Sequence, residues 1–152
     1  MTADELAAHP FLRAFWPAHI ARLSAMASDV RFDPGELIFH EGDHSSFFYL
    51  LADGTVALEV QAPGRPVRVA TLYPGEVLGW SSVTGDDSKQ FQARALEAVR
   101  AIAFDGARLR HACAEDYAFG FAFMRALAEV MAGRLHAVRE QLLGSYSPVG
   151  GL

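Results

Sequence analysis

Between Asp33 and Glu76 the chain is cut by turn signals at short intervals: "DPGE" at 33–36, "EGD" at 41–43, "ADG" at 52–54, "APGRP" at 62–66 and "YPGE" at 73–76. Proline presets the φ of a turn's second position and glycine accepts the positive φ of its third, so each cluster marks a corner in the backbone. The runs between corners are short and read with a period of two. In "TVALEV", Val56, Leu58 and Val60 face one way while Thr55, Ala57 and Glu59 face the other. "VRVATLY" and "QFQARAL" repeat the pattern less regularly. Short strands with glycine corners close into a sandwich, roll or barrel, whereas a parallel sheet would need a crossover helix between strands.

Both flanks change to helical spacing. Leu6, Phe11, Leu12 and Phe15, then Ile20, Leu23 and Met26, predict two short helices over residues 4–13 and 17–27, with Pro17 in the first turn of the second. After the β-rich part, Asp105 reads as the N-cap of a helix to about Ala114, and Asp116 as the N-cap of a longer one over Tyr117 to Leu143. Along that helix Met124, Leu127, Met131, Leu135, Val138 and Leu142 form an apolar stripe, leaving Arg125, Glu129, Arg134, Arg139 and Glu140 for wetter faces. At 1.5 Å per residue it would extend roughly 40 Å, longer than the body of a domain this size. Part of the stripe is therefore expected to meet a second copy of the chain as a homodimer seam.

A chain of 152 residues buries a real core as one domain. The expected domain spans 1–143: N-terminal helices at 1–29, the β-rich part at 30–104 and C-terminal helices at 105–143. The Gly/Pro/Ser-rich residues 144–152 form a flexible tail.

Function classes fall away on charge and residue type. The net charge of −5 gives no global attraction to polyanions, so no direct nucleic-acid partner is expected. Phe47, Phe48, Tyr49 and Phe91 are assigned to the core, since basic residues to track a nucleic-acid backbone are missing nearby. The acidic start "MTADEL" is unlike a signal peptide and no apolar run reaches membrane-spanning length, so a cytoplasmic protein without a membrane partner is expected. Cys113, the one cysteine, reads as a small apolar residue on a helix. His40 and His44 are poorly spaced for one metal ion, and His9, His19, His111 and His136 are expected at helix surfaces or boundaries. Ser45-Ser46 and Ser81-Ser82 lack an evident base. Neither a catalytic site, a metal site nor a resident cofactor is expected.

One constellation remains, in "PGEVLGWSSVTGDDSKQFQAR" (74–94). Gly79 allows close backbone approach before a short helical turn through Trp80, Ser81, Ser82 and Val83, whose free N–H groups make a natural anion seat. Lys89 and Arg94, at either end of the following segment, are expected to approach the same place.

The series "DPGELIFHEGDHSSFFYLLADGTVALEV" (33–60), the "YPGEVLGW" entry (73–80) and the strand "FQARALEAVRAIAFD" (91–105), between short helices and a paired long one, resemble the cyclic nucleotide-binding domains of bacterial catabolite-activator and fumarate-nitrate-regulator sensors. The resemblance covers nearly the whole chain. It implies a mainly β fold with flanking helices (α+β): a double-stranded, jelly-roll-like β-roll in which the cassette's short helix and amides hold a cyclic phosphate. It implies ligand-binding residues at Gly79, Trp80, Ser81, Ser82, Val83, Lys89 and Gln90. Two positions depart from the family pattern. Trp80 stands where a glutamate usually takes the ribose hydroxyl, and indole only donates. Lys89 aligns with the phosphate arginine and lacks its two-pronged fork, with Gln90 beside it. Ordinary cyclic AMP binding is therefore disfavoured, and another small anionic ligand, or a partner protein with the pocket closed by Trp80, is expected instead. Family transcription factors carry a helix-turn-helix domain after the long helix; only residues 144–152 follow it here, so direct DNA reading through that module is not expected.

Overall fold

The computed structural model describes residues 2–40, 42, 46–84 and 91–145. Lys89 and Gln90, the turn residues Glu41 and Asp43, His44, Ser45 and the tail residues 146–152 lie outside them. Among the described residues, five α-helices and eight strands follow one another: α1 (Ala3–Ala7), a 3-10 turn (Pro10–Leu12), α2 (Pro17–Met26), β1 (Ser28–Phe32), β2 (Leu37–Phe39), β3 (Phe47–Asp53), β4 (Val56–Ala62), β5 (Arg65–Leu72), β6 (Val77–Leu78), α3 (Ser81–Thr84), β7 (Gln92–Ala95), β8 (Val99–Asp105), α4 (Gly106–Glu115) and α5 (Tyr117–Ser145). The strands make two antiparallel four-stranded sheets, ordered β1-β8-β3-β6 and β2-β7-β4-β5. This is the expected β-roll with flanking helices.

The glycine corners are built as read. In "DPGE" and "YPGE" the glutamate closes its own turn: the Asp33 N–H donates to Glu36 Oε1 at 2.9 Å and the Tyr73 N–H to Glu76 Oε2 at 2.8 Å. Asp105 caps α4 by accepting from the Ala107 and Arg108 N–H groups, and Asp116 caps α5 by accepting from those of Ala118 and Phe119. The first helix is shorter than its periodicity suggests. Pro10, which cannot donate within a helix, breaks it into α1 and the 3-10 turn.

The central strands of the first sheet, β3 and β8, are buried on both faces, which explains why "FFYLLAD" reads as an almost continuous apolar run. Phe48 and Leu50 of β3, with Ile102 and Phe104 of β8, meet the helices: Phe11, Leu23, Leu109, Phe119, Phe123 and Leu127 complete that core. Tyr49 and Leu51 point the other way, into the roll, against Val56, Leu58, Leu72, Ala93 and Ala95. Phe47 departs from its core assignment: it starts the strand and is 44% exposed.

The outer face of the second sheet is polar. Gln61 donates to Gln92, and Gln92 and Arg94 donate to Glu59. Ala57, on the same side as Glu59, is fully buried there; its register partner Arg94 reaches past it to Glu59, so side chains and not water cover it.

Two histidines also depart from their surface assignment. His9 is buried, its Nε2 3.0 Å from the Leu51 carbonyl, and its Nδ1 accepts from the Phe11 N–H. His19 is buried between the Trp16 and Phe119 rings, with Nε2 4.0 Å from Asp116. His9 lies between the N-terminal segment and the roll and His19 between α2 and the start of α5, pairings that short-range periodicity does not reveal. His111 and His136 are exposed and face Glu115 and Glu140 one turn on.

The α5 helix carries two apolar lines. Phe119, Phe123 and Leu127 sink into the core, with Ala126 and Val130 packed beside them. Leu127 thus leaves the stripe in which the sequence places it. The exposed line runs Tyr117, Phe121, Met124, Ala128, Met131, Leu135, Val138 and Leu142, alternating steps of four and three; only Met131 among them is half-buried. Gly144 and Ser145 continue the helix.

Candidate functional site

The corner at Tyr73–Glu76 delivers the chain into β6, whose pairing with β3 is extended by Leu51: its N–H donates to the Glu76 carbonyl and its carbonyl accepts from the Gly75 N–H, both at 2.9 Å. Gly79 then has φ of 82°, a left-handed conformation that directs the chain into α3. Ser82 Oγ donates back to the Gly79 carbonyl at 2.8 Å, closing the turn on itself. A close approach seats α3 on α4: a Cβ at Gly106 would lie 2.5 Å from the Ser82 carbonyl oxygen, which also accepts from the Arg110 guanidinium.

Between this cassette, the second sheet and α5 lies a cavity of about 600 Å³. Gly79, Trp80 and Ser81 line it, with Thr84, Phe91 and the inward residues Phe39, Leu58 and Leu72. From α5 come Met131, Arg134, Leu135 and Val138. The structure divides the expected site residues. Gly79, Trp80 and Ser81 face the cavity; Ser82 and Val83 are buried beside it, Ser82 with its hydroxyl used in the turn and Val83 in the helical core. Lys89 and Gln90 lie outside the described residues.

Arg94 does not approach the cassette. The period of two in β7 turns Ala93 and Ala95 into the roll and Arg94 outward, where it pairs with Glu59 at 3.2 Å and donates to the Gly35 carbonyl.

Arg134 takes a place that its sequence position does not announce. Counted among the wetter residues of α5, it lies with its guanidinium carbon 4.7 Å from the centroid of Trp80 and donates to the carbonyl of Val77. Its Nε is buried and has no hydrogen-bond partner among the described residues. Burial pushes its pKa down while Glu76, nearby, pulls it up. No local signal marks this residue, since the contact joins positions 54 apart in the chain. Among the described residues no cluster of His, Cys, Asp or Glu could hold a metal ion, and no helix is long and apolar enough to cross a membrane.

A roll of two antiparallel sheets, interrupted by a glycine-led cassette and overlain by a long helix, defines a ligand-binding regulatory module. The chain belongs to the cyclic nucleotide-binding domain family, whose model matches residues 29–116. It is 27% identical over 113 residues to a CRP-like cAMP-activated global transcriptional regulator of Mycobacterium tuberculosis, a match covering 74% of this chain and 50% of that one. The chain thus spans half the length of that relative. Among solved structures it is similar to the N-terminal domain of a transcriptional regulator from Streptomyces coelicolor A3(2), with 28% identity, a TM-score of 0.70, and coverage of 92% of this chain and 96% of that one. A cyclic nucleotide-binding domain from Methylobacillus flagellatus KT shares the fold at 14% identity, with a TM-score of 0.84 over 94% of this chain and 83% of that one.

Proposed function

We propose that this chain is a non-catalytic sensor that binds a cyclic nucleotide or another small anionic ligand between cassette and α5, and works as a homodimer along α5. The observation that carries the reading is the cavity itself: it is bounded on one side by the cassette and on the other by Arg134, a half-buried cation of α5. A ligand there touches both elements at once, so its occupancy biases how the helix packs on the roll. Lys89 and Gln90 remain part of the proposed site through the family resemblance.

The homodimer reading is supported by the exposed line from Tyr117 to Leu142. Its four-three spacing is that of a coiled-coil seam, and one chain alone leaves it in water. The rival reading, a ligand-free interaction module closed by Trp80, requires packed surroundings for that ring. The open space beside Trp80 favours the sensor.

Calorimetric titration of cyclic AMP and cyclic GMP into the wild type, Lys89→Ala and Trp80→Glu tests it. Micromolar binding that disappears in Lys89→Ala assigns a working nucleotide cassette. Binding that appears only in Trp80→Glu assigns an intact fold with a changed ligand, and silence throughout, together with a packed and unresponsive α5, removes the cyclic-nucleotide form of the reading.

A further inference from the structure

Resting on the sensor reading above, we infer that the ligand is an amphipathic carboxylate: one carboxylate head held by Arg134 and an apolar, ring-sized body lying against Trp80 and the walls of the roll.

The first observation is an unmatched donor. A guanidinium carries five N–H groups and stays charged at neutral pH, so burial without an acceptor is costly. Arg134 has one carbonyl partner in Val77, an aromatic face in Trp80, and a buried Nε without an acceptor. Glu76, the one described carboxylate in the cavity wall, accepts from the Tyr73 N–H through Oε2 and acts on Arg134 through its charge, without hydrogen-bonding the Arg134 Nε. The fork geometry of a guanidinium suits a planar carboxylate, and the contact with the indole and the Val77 carbonyl holds the guanidinium at the cavity wall.

The second observation is the wall. Phe39, Leu58, Leu72, Phe91, Met131 and Leu135 surround the space with hydrocarbon and ring surface. A ribose-phosphate presents hydroxyls that each need a partner when desolvated. Thr71, Glu76, Ser81, Thr84 and Gln141 also line the space but are outnumbered by apolar residues, and Trp80, where the family pattern has a carboxylate for the ribose, offers no acceptor. An aromatic or branched aliphatic body needs no such partners and gains from covering these side chains. About 600 Å³ is ample for a molecule of that kind. Among the described residues one cation, Arg134, faces a mainly apolar chamber, which suits a single anionic head better than a polyanion.

The probes are 1-naphthaleneacetate, 3-phenylpropionate and octanoate, titrated calorimetrically into the full chain beside the neutral 1-naphthaleneacetamide and cyclic AMP. At least one carboxylate is expected to bind at least tenfold more tightly than the matched amide, with Arg134→Gln losing that preference and Arg134→Lys retaining part of it. Circular dichroism checks that the variants fold, and the acid-against-amide comparison in the wild type stands without them. Equal binding of acid and amide, or undiminished binding in folded Arg134→Gln, overturns the role of Arg134. Cyclic AMP binding with no carboxylate binding overturns the ligand class and leaves the sensor reading standing. Silence toward every probe overturns the carboxylate class and, with it, the cyclic AMP form of the sensor reading.

Discussion

His9 shows how one side chain ties the N-terminal segment to the frame of the site. The Leu51 carbonyl serves both His9 Nε2 and the Gly75 N–H, so the 3-10 turn and the corner leading to the cassette share one acceptor. Because Nδ1 accepts from the Phe11 N–H, the ring proton sits on Nε2 and the imidazole is neutral. Burial depresses the His9 pKa below 6.5, and the hydrogen bond to Leu51 opposes this only in part. The sign follows from linkage. Above 6.5 both states hold neutral His9 and its contribution is complete; as pH falls toward the depressed native value, only the unfolded chain takes up the proton and stability declines. Urea unfolding is expected to show this loss between neutral and mildly acidic pH, with a shallower slope in His9→Gln. An identical slope in that variant would place the sensitivity elsewhere. Residue roles of this kind were the least legible: Trp80 was found because it breaks a motif, but His9 and Arg134 act on partners remote in sequence, and no local pattern encodes such pairings.

The α5 helix displays what periodicity can and cannot assign. Its existence, its Asp116 cap and its great length follow from local sequence. Its orientation does not, because lines through 119, 123 and 127 and through 117, 121 and 124 are both apolar, and three-to-four spacing fits either. Aromatic bulk decides: Phe119 and Phe123 fill the space against Phe11 and Phe15, carrying Leu127 inward. The two lines should respond oppositely to substitution. Leu127→Ala, at a site 2% exposed, is expected to lower monomer stability by about 2–5 kcal/mol. Phe121→Glu with Leu142→Glu, at sites 69% and 64% exposed, should leave the fold intact and convert dimer to monomer in sedimentation velocity. A wild type that sediments as a monomer, or a double variant that stays dimeric, rejects the seam.

At the scale of the molecule, the two cores share the first sheet and differ in how firmly they hold α5. The helix's first half is anchored by Phe119, Phe123 and Leu127; its second half touches the cassette through Arg134 and otherwise borders the cavity, with Leu135 and Val138 largely exposed. The roll was legible because every corner is local, from "DPGE" to "YPGE". The cavity was only half legible, since its α5 wall depends on long-range packing. On the proposed sensor reading, this division sets where a ligand acts. A ligand that takes the free donor of Arg134 competes with none of the contacts of Phe119 or Phe123, so it can reset the second half of α5 while the first stays docked. Amide hydrogen exchange is expected to find 119–127 strongly protected with or without ligand. Over 131–142, exchange should slow severalfold on adding whichever probe binds, and the change should vanish in Arg134→Gln. Equal slowing along the whole helix would instead mean global stabilisation by binding, with no hinge between the halves.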